Sequence, residues 1–242
     1  MLAMFRAALF DLDNTLIDRE ACTAAASFEA LETVGKVPRA AVDALRARPP
    51  LIGLSWQDIH RELGIESLSG WSCAQFVAHT MDAIPAAKAK GFVERPLSGA
   101  ADLVRRLHDN AVKVVVVSGS SRREVEDACT NVLQITPSLE FLIGAEDYVH
   151  GKPAPECYLQ AAKRLGVEPS ECVVFEDSAA GIAAAIAAGA AVIATSEANR
   201  PAGQPGHQDQ SAADAIVPSL TAVDDALLAK VHATFAARSK RA

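Results

Sequence analysis

Residues 7–15 read Ala7-Ala8-Leu9-Phe10-Asp11-Leu12-Asp13-Asn14-Thr15, a short apolar run that stops at two carboxylates one residue apart. An uninterrupted apolar run of this length suits a strand buried on both faces. Runs of the same character recur at Val112 to Val117, Phe141 to Ile143, Cys172 to Phe175, Ala190 to Ala194 and Ala215 to Val217. Helical patterns lie between most of them, at Ala100 to Asp109, Arg122 to Leu133, Pro155 to Leu165 and Ser178 to Ala188. Strand and helix in alternation predict an α/β fold built on a doubly wound parallel sheet.

The interval from Phe10 to Val112 breaks the alternation, because it is many times the dozen or so residues that a crossover requires. Residues 20–35, 39–48, 55–64 and 72–90 read as helices, interrupted by Gly35, Pro49-Pro50, Gly64 and Gly70. The predicted organisation is a Rossmann-like core, residues 1–18 and 95–242, carrying an inserted all-α cap domain, residues 19–94. Hinges are expected near Ile17 to Glu20 and Gly91 to Gly99, and a lid is the natural use of such an insertion. Asn199 to Gln210, rich in Pro, Gly and Gln, reads as a surface loop between the last two strands.

In open parallel sheets ligands sit beyond the carboxyl ends of the strands, and four polar motifs fall at such ends. Asp11 and Asp13 follow the first, Ser118-Gly119-Ser120 the second, Gly151-Lys152-Pro153 the third after a short loop, and Glu176-Asp177 the fourth. Two neighbouring ionised carboxylates repel unless one is protonated or a cation lies between them. A hard divalent cation such as Mg²⁺ meets that need, with Asp11 and Asp177 as its carboxylates and Glu176 supporting from behind. Asp11 is the candidate nucleophile on phosphorus, and Asp13 the neighbour placed to exchange a proton with the leaving oxygen and the attacking water. Ser118, the following backbone N–H groups including Gly119, and the Lys152 ammonium suit phosphate oxygens.

Composition narrows the possibilities. A net charge of −7 supplies no basic stripe for a nucleic-acid backbone. The five cysteines (Cys22, Cys73, Cys129, Cys157, Cys172) show neither paired zinc spacing nor a disulfide framework, and read as reduced thiols. The six histidines (His60, His79, His108, His150, His207, His232) form no metal-like cluster. The N-terminus lacks a signal-peptide pattern and the Ala-rich run at Ala179 to Ala191 falls short of a membrane span, so a cytoplasmic location is expected.

The motifs together resemble those of the haloacid dehalogenase superfamily, in the branch containing β-phosphoglucomutase and small sugar-phosphate phosphatases. The resemblance rests on Asp11-Leu12-Asp13-Asn14-Thr15-Leu16, Val116-Val117-Ser118-Gly119, Gly151-Lys152-Pro153 and Phe175-Glu176-Asp177-Ser178-Ala179-Ala180-Gly181-Ile182. It implies Asp11 as nucleophile and Asp13 as acid/base and, through its carbonyl, a metal contact. Ser118 and Lys152 would hold phosphate and Asp177 would hold Mg²⁺. It also implies that Gly181 lets the helix after the fourth motif pack on the sheet and that Gly189 ends that helix. Asn14 stands where a glycine is commoner. A carboxylate at Asp13 favours phosphoryl transfer over the dehalogenase branch. In Leu51-Ile52-Gly53-Leu54-Ser55-Trp56-Gln57-Asp58, which resembles the mutase specificity loop, Ile52 and Trp56 replace basic residues, which favours hydrolysis; His60, Arg61 and Lys88 remain alternative sources of charge.

Each motif also has a plain structural explanation. Asp11 to Thr15 suits an Asx turn, Ser118 and Ser178 suit helix caps, Lys152 suits a solvated loop, and Trp56 and Trp71 suit a helical core. Arg238, Lys240 and Arg241 read as a solvated basic tail. Joint occurrence in order at matching strand ends favours catalysis. The expected protein is a monomeric Mg²⁺-dependent phosphatase acting on a small phosphorylated metabolite through an aspartyl phosphate. A phosphomutase and a catalytically idle binder of a phosphorylated ligand are the alternatives.

Overall fold

The computed structural model describes residues 4–48, 56–204 and 207–239. The chain divides into two compact units, one of Met1–Asp18, Arg95–Asn199 and Gln208–Ala242, the other of Arg19–Glu94 with Arg200–His207.

The first unit is built on β1 (Ala7–Phe10). After β1 come a two-residue strand β2 (Ile17–Asp18) and its antiparallel partner β3 (Arg95–Pro96). Arg95 Nη2 meets Asp18 Oδ2 at 2.7 Å, so this stub ladder ties together the two ends of the insertion. The sequence reads this neck only as hinges, since two residues carry no periodicity.

Among the described residues six parallel strands form the main sheet, in the order β5-β4-β1-β6-β7-β8. They are β4 (Lys113–Val117), β5 (Phe141–Ile143), β6 (Cys172–Glu176), β7 (Ala191–Thr195) and β8 (Ala215–Val217) around β1. The chain runs outward from β1 to one edge and then returns to its other side at β6. The carboxyl end of β1 is therefore the switch point where such sheets bind ligands.

Alternation along each buried strand feeds two apolar layers. Leu9, Val115, Val174 and Val192 face α8 (Glu156–Leu165) and α9 (Ala179–Ala188). Phe10, Val116, Phe175 and Ile193 share the opposite layer with Leu103, Val104 and Leu107 of α6 (Ala100–Asp109). Phe10 and Phe175 lie opposite each other in register and stack at 4.4 Å, fixing β1 against β6 at the residues that precede the acidic motifs. The helix expected over Arg122 to Leu133 is α7 (Arg122–Asp127) continued by a wider turn, Ala128–Val132.

The helical unit contains α1 (Glu20–Thr33), α2 (Arg39–Arg46), α3 (Trp56–Leu63), α4 (Ile65–Ser69) and α5 (Cys73–Ala89). Small residues Cys22, Ala26 and Ala87 form one buried cluster there, while Leu31, Val42, Ile65, Trp71 and Phe76 form another. Ser72 and Gln75 exchange hydrogen bonds across a capping box that starts α5. The break at Pro49-Pro50 and the loop residues through Ser55, Ile52 included, lie outside the described residues.

The sequence reading assigns no element between Val217 and the basic C-terminal end; there the chain forms α10 (Asp225–Ser239), with Leu228, Val231 and Phe235 buried in the layer that holds Phe10. The spacing of those three residues is the helical signal that marks it. Lys240 and Arg241 lie outside the described residues, as does the side chain of Arg238. Phe235→Ala is expected to lower unfolding free energy by about 3–5 kcal/mol in urea titrations. Ile216→Ala, on a half-exposed side chain, should change it by less than about 0.5 kcal/mol.

Candidate active site

β1 delivers Asp11 with its backbone N–H still donating to the Phe175 carbonyl at 3.0 Å, so the nucleophile candidate is held by the sheet ladder itself. The chain then closes a tight loop in which Leu16 and Ile17 both donate to the Leu12 carbonyl. Asn14 sits at φ 62°, the left-handed region that Gly and Asn adopt most readily, which accounts for an asparagine at a position that favours glycine.

Asp11 and Asp13, separated only by Leu12, bind different partners. Asp11 Oδ1 accepts from Lys152 Nζ at 2.6 Å, and the same ammonium reaches Glu176 Oε1 at 2.7 Å. Asp13 Oδ2 accepts from Ser120 Oγ at 2.8 Å and from Ser118 Oγ at 3.3 Å. Tyr148 Oη donates to the Ser118 carbonyl at 3.0 Å and so steadies the second motif from outside the chain's own turn. A Cβ on Gly119 would meet nothing closer than 3.8 Å, so space does not dictate the glycine there.

Glu176 is fully buried, and both of its oxygens are engaged. Oε1 accepts from Lys152 and from Tyr158 Oη at 2.8 Å, while Oε2 accepts from the backbone N–H groups of Asp177 and Ser178 and from Ser178 Oγ, each at 3.0 Å. Gly181 creates the room: a Cβ there would stand 1.7 Å from Glu176 Oε1. Its role is thus more specific than helix packing on the sheet. Gly189, at φ 86°, ends α9 in the left-handed conformation.

Charge does not balance in this cluster. Burial raises the Asp11 carboxyl to about 7 despite the pull of Lys152, and burial with the charges of Glu176 and Asp11 drives Asp177 well above the usual carboxylate range. Burial also opposes ionisation of Glu176, but Lys152 and the surrounding donors win and hold it low. Burial would discharge Lys152, yet Asp11 and Glu176 keep it firmly protonated. One ammonium cannot satisfy all three buried carboxylates. Ligand atoms of Asp11, Glu176 and Asp177 lie within 4.8 Å of one another, and a hard divalent cation is the physical complement of such a set. With Glu176 committed to Lys152 and Ser178, Asp11 and Asp177 fit direct coordination and Glu176 fits a bracing role.

Asp11, Lys152, Glu176 and Asp177 therefore converge, with Asp13 and Ser118 in an adjoining hydrogen-bond network. His150 does not join them; it is exposed and pairs with Glu156 at 2.8 Å. Trp56 packs edge-on against Phe76 inside the helical unit, as a core aromatic does. Tyr148, Tyr158 and Gln210 were missed by the sequence reading, because a tyrosine on an amphipathic helix and a glutamine in a loop carry no motif.

A family model described as haloacid dehalogenase-like hydrolase matches residues 5–189. The chain is 35% identical over 194 residues to validoxylamine A 7'-phosphate phosphatase of Streptomyces hygroscopicus subsp. limoneus, covering 77% of this chain and 83% of that one. It is 30% identical over 199 residues to hexitol phosphatase A of Escherichia coli, covering 81% and 84%. A shorter match, 38% over 100 residues, is to a bifunctional riboflavin kinase/FMN phosphatase of Arabidopsis thaliana, of which the chain spans 26%. Among solved structures, CbbY of Rhodobacter sphaeroides in complex with phosphate has a TM-score of 0.70 at 23% identity, covering 90% of this chain and 96% of that one. At that identity the likeness bears on the fold alone.

Gly181→Ala should displace Glu176 and cost at least about 1–3 kcal/mol of stability, measured by chemical denaturation. A second expectation follows from linkage. Without divalent cations the folded state holds Asp11 protonated up to about pH 7, whereas the ordinary value is 3.8, so stability should fall as pH rises through that window. Melting temperatures in EDTA should therefore drop from pH 5 to pH 8, and added Mg²⁺ should raise them most at pH 8. A melting temperature indifferent to Mg²⁺ at pH 8 would contradict the cation assignment.

Proposed function

This chain belongs to the haloacid dehalogenase-like hydrolase family, and from that premise we propose that it is a Mg²⁺-dependent phosphatase of small phosphorylated metabolites, sugar or polyol monophosphates in particular. The observation that carries this reading is the Lys152 ammonium bridging Asp11 and Glu176 beside Asp177 at the switch point of the sheet. In this reading residues 1–18 and 95–242 are the catalytic core, and residues 19–94 act as its cap.

In the first step Asp11 attacks phosphorus, a carboxylate O–P bond forms, and the bond to the leaving oxygen breaks as Asp13 supplies the proton. In the second step Asp13 takes a proton from water, whose oxygen attacks phosphorus and releases Asp11 and inorganic phosphate. Lys152 and Ser118 hold the phosphoryl oxygens while charge develops on them. Asp11 and Asp177 would hold Mg²⁺, which when bound would neutralise the buried carboxylates and the phosphoryl oxygens. Before substrate arrives, the hydroxyls of Ser118 and Ser120 fix the Asp13 carboxylate beside the nucleophile.

The substrate class draws on the relatives, a hexitol phosphatase and a validoxylamine phosphate phosphatase among them. Hydrolysis is favoured over mutase chemistry because a mutase needs Lys or Arg for a second phosphate. Two of the alternative sources of charge, His60 and Lys88, are already engaged within the helical unit. His60 Nε2 lies 2.8 Å from the Trp71 carbonyl, and Lys88 pairs with Glu94 at 2.8 Å.

Asp11→Asn should lower turnover of an aryl phosphate by at least about 10³-fold while circular dichroism stays unchanged, since the nucleophile is lost and the shape kept. A panel of sugar and polyol monophosphates should release inorganic phosphate, and EDTA should abolish that release. Isomer interconversion without phosphate release would overturn the phosphatase reading.

A further inference from the structure

Asp177 stands on a turn between the end of β6 at Glu176 and the start of α9 at Ala179. On one side its N–H and that of Ser178 hang from Glu176 Oε2. On the other side the turn is gripped by a segment far along the chain. Gln210 Nε2 donates to the Asp177 carbonyl at 2.6 Å and to the Thr195 carbonyl at 2.7 Å. Gln208 Oε1 accepts from Ala179 N–H at 3.1 Å, in the first turn of α9, where amides have no partner within the helix.

Gln210 is 5% exposed, and both N–H bonds of its amide are spent on carbonyls at the ends of neighbouring strands. The β6–β7 register runs to Glu176↔Ala194, so Gln210 adds one more rung to the ladder, at Asp177 and Thr195. Because both partners are acceptors, the nitrogen must face them. Asn199 sets the position of Gln208, accepting from its backbone N–H at 2.9 Å and donating to its carbonyl at 2.8 Å. Gln208 and Gln210, which close the stretch read as a plain surface loop, are thus latched onto the fourth motif.

We infer that Gln210 and Gln208 are positioning residues that fix the Asp177 turn and thereby set the affinity of the site for its divalent cation. The inference rests on the reading that Asp177 holds Mg²⁺. Mg²⁺ demands short, nearly octahedral bonds, so loosening the main chain that carries one ligand weakens binding even when the ligand remains.

The test is calorimetric titration of the full chain with MgCl₂, alongside the apparent Mg²⁺ constant for activity. Gln210→Leu, which keeps the bulk and loses the donors, should weaken Mg²⁺ binding by about 10-fold or more. Gln208→Ala should weaken it in the same direction, whereas Gln208→Glu, which retains the acceptor for Ala179, should bind within about twofold of the wild type. Circular dichroism establishes that each variant is folded; if Gln210→Leu is not, the Gln208 pair decides. Wild-type affinity in the folded Gln210→Leu or in Gln208→Ala, or equal loss in both Gln208 variants, would overturn the inference. A wild type that binds no Mg²⁺ would instead remove the underlying reading, and the inference with it.

Discussion

Lys152 is a single ammonium set among three buried carboxylates, and much of the local structure serves that imbalance. A buried ion pair is tolerated only when its remaining hydrogen-bonding capacity is met, and Glu176 meets it with five donors from Lys152, Tyr158, Asp177 and Ser178. Tyr158 contributes twice, since its ring also lies 5.1 Å beneath the Lys152 ammonium. Gly181 is the steric condition for the whole arrangement, because any side chain there would occupy the space of the Glu176 carboxylate.

Satisfying Glu176 leaves Asp11 and Asp177 with more negative charge than Lys152 can offset. That residual charge is what gives a small divalent cation its place in the account. It also separates the roles of two carboxylates that look alike in sequence. Asp11 is drawn into the buried ion cluster, and Asp13 is turned onto the hydroxyls of Ser118 and Ser120. The sheet makes the separation possible by ending β1 between β4, which leads to Ser118, and β6, which leads to Asp177.

Much of this was legible from residue order alone. Buried strands announce themselves as apolar runs, and the polar residues that terminate them fall at one edge once the sheet is parallel, so Asp11, Ser118, Lys152 and Asp177 could be named together. What stayed hidden depends on contacts between residues far apart in the chain. Nothing local marks Tyr158 as a partner of Glu176, Gln210 as a rung beyond β7, or Gly181 as the space for the Glu176 carboxylate. The neck ladder of β2 and β3 is too short for periodicity.

The central claim is that Asp11 bonds covalently to the phosphoryl group. Quenching the enzyme during turnover, reducing acyl phosphates with borohydride and sequencing peptides by mass spectrometry tests it directly. The account predicts homoserine at position 11 and only in samples given substrate. Continued phosphate release with Asp11 unmodified, or with reduction mapped to Asp13 or Asp177 instead, would contradict it.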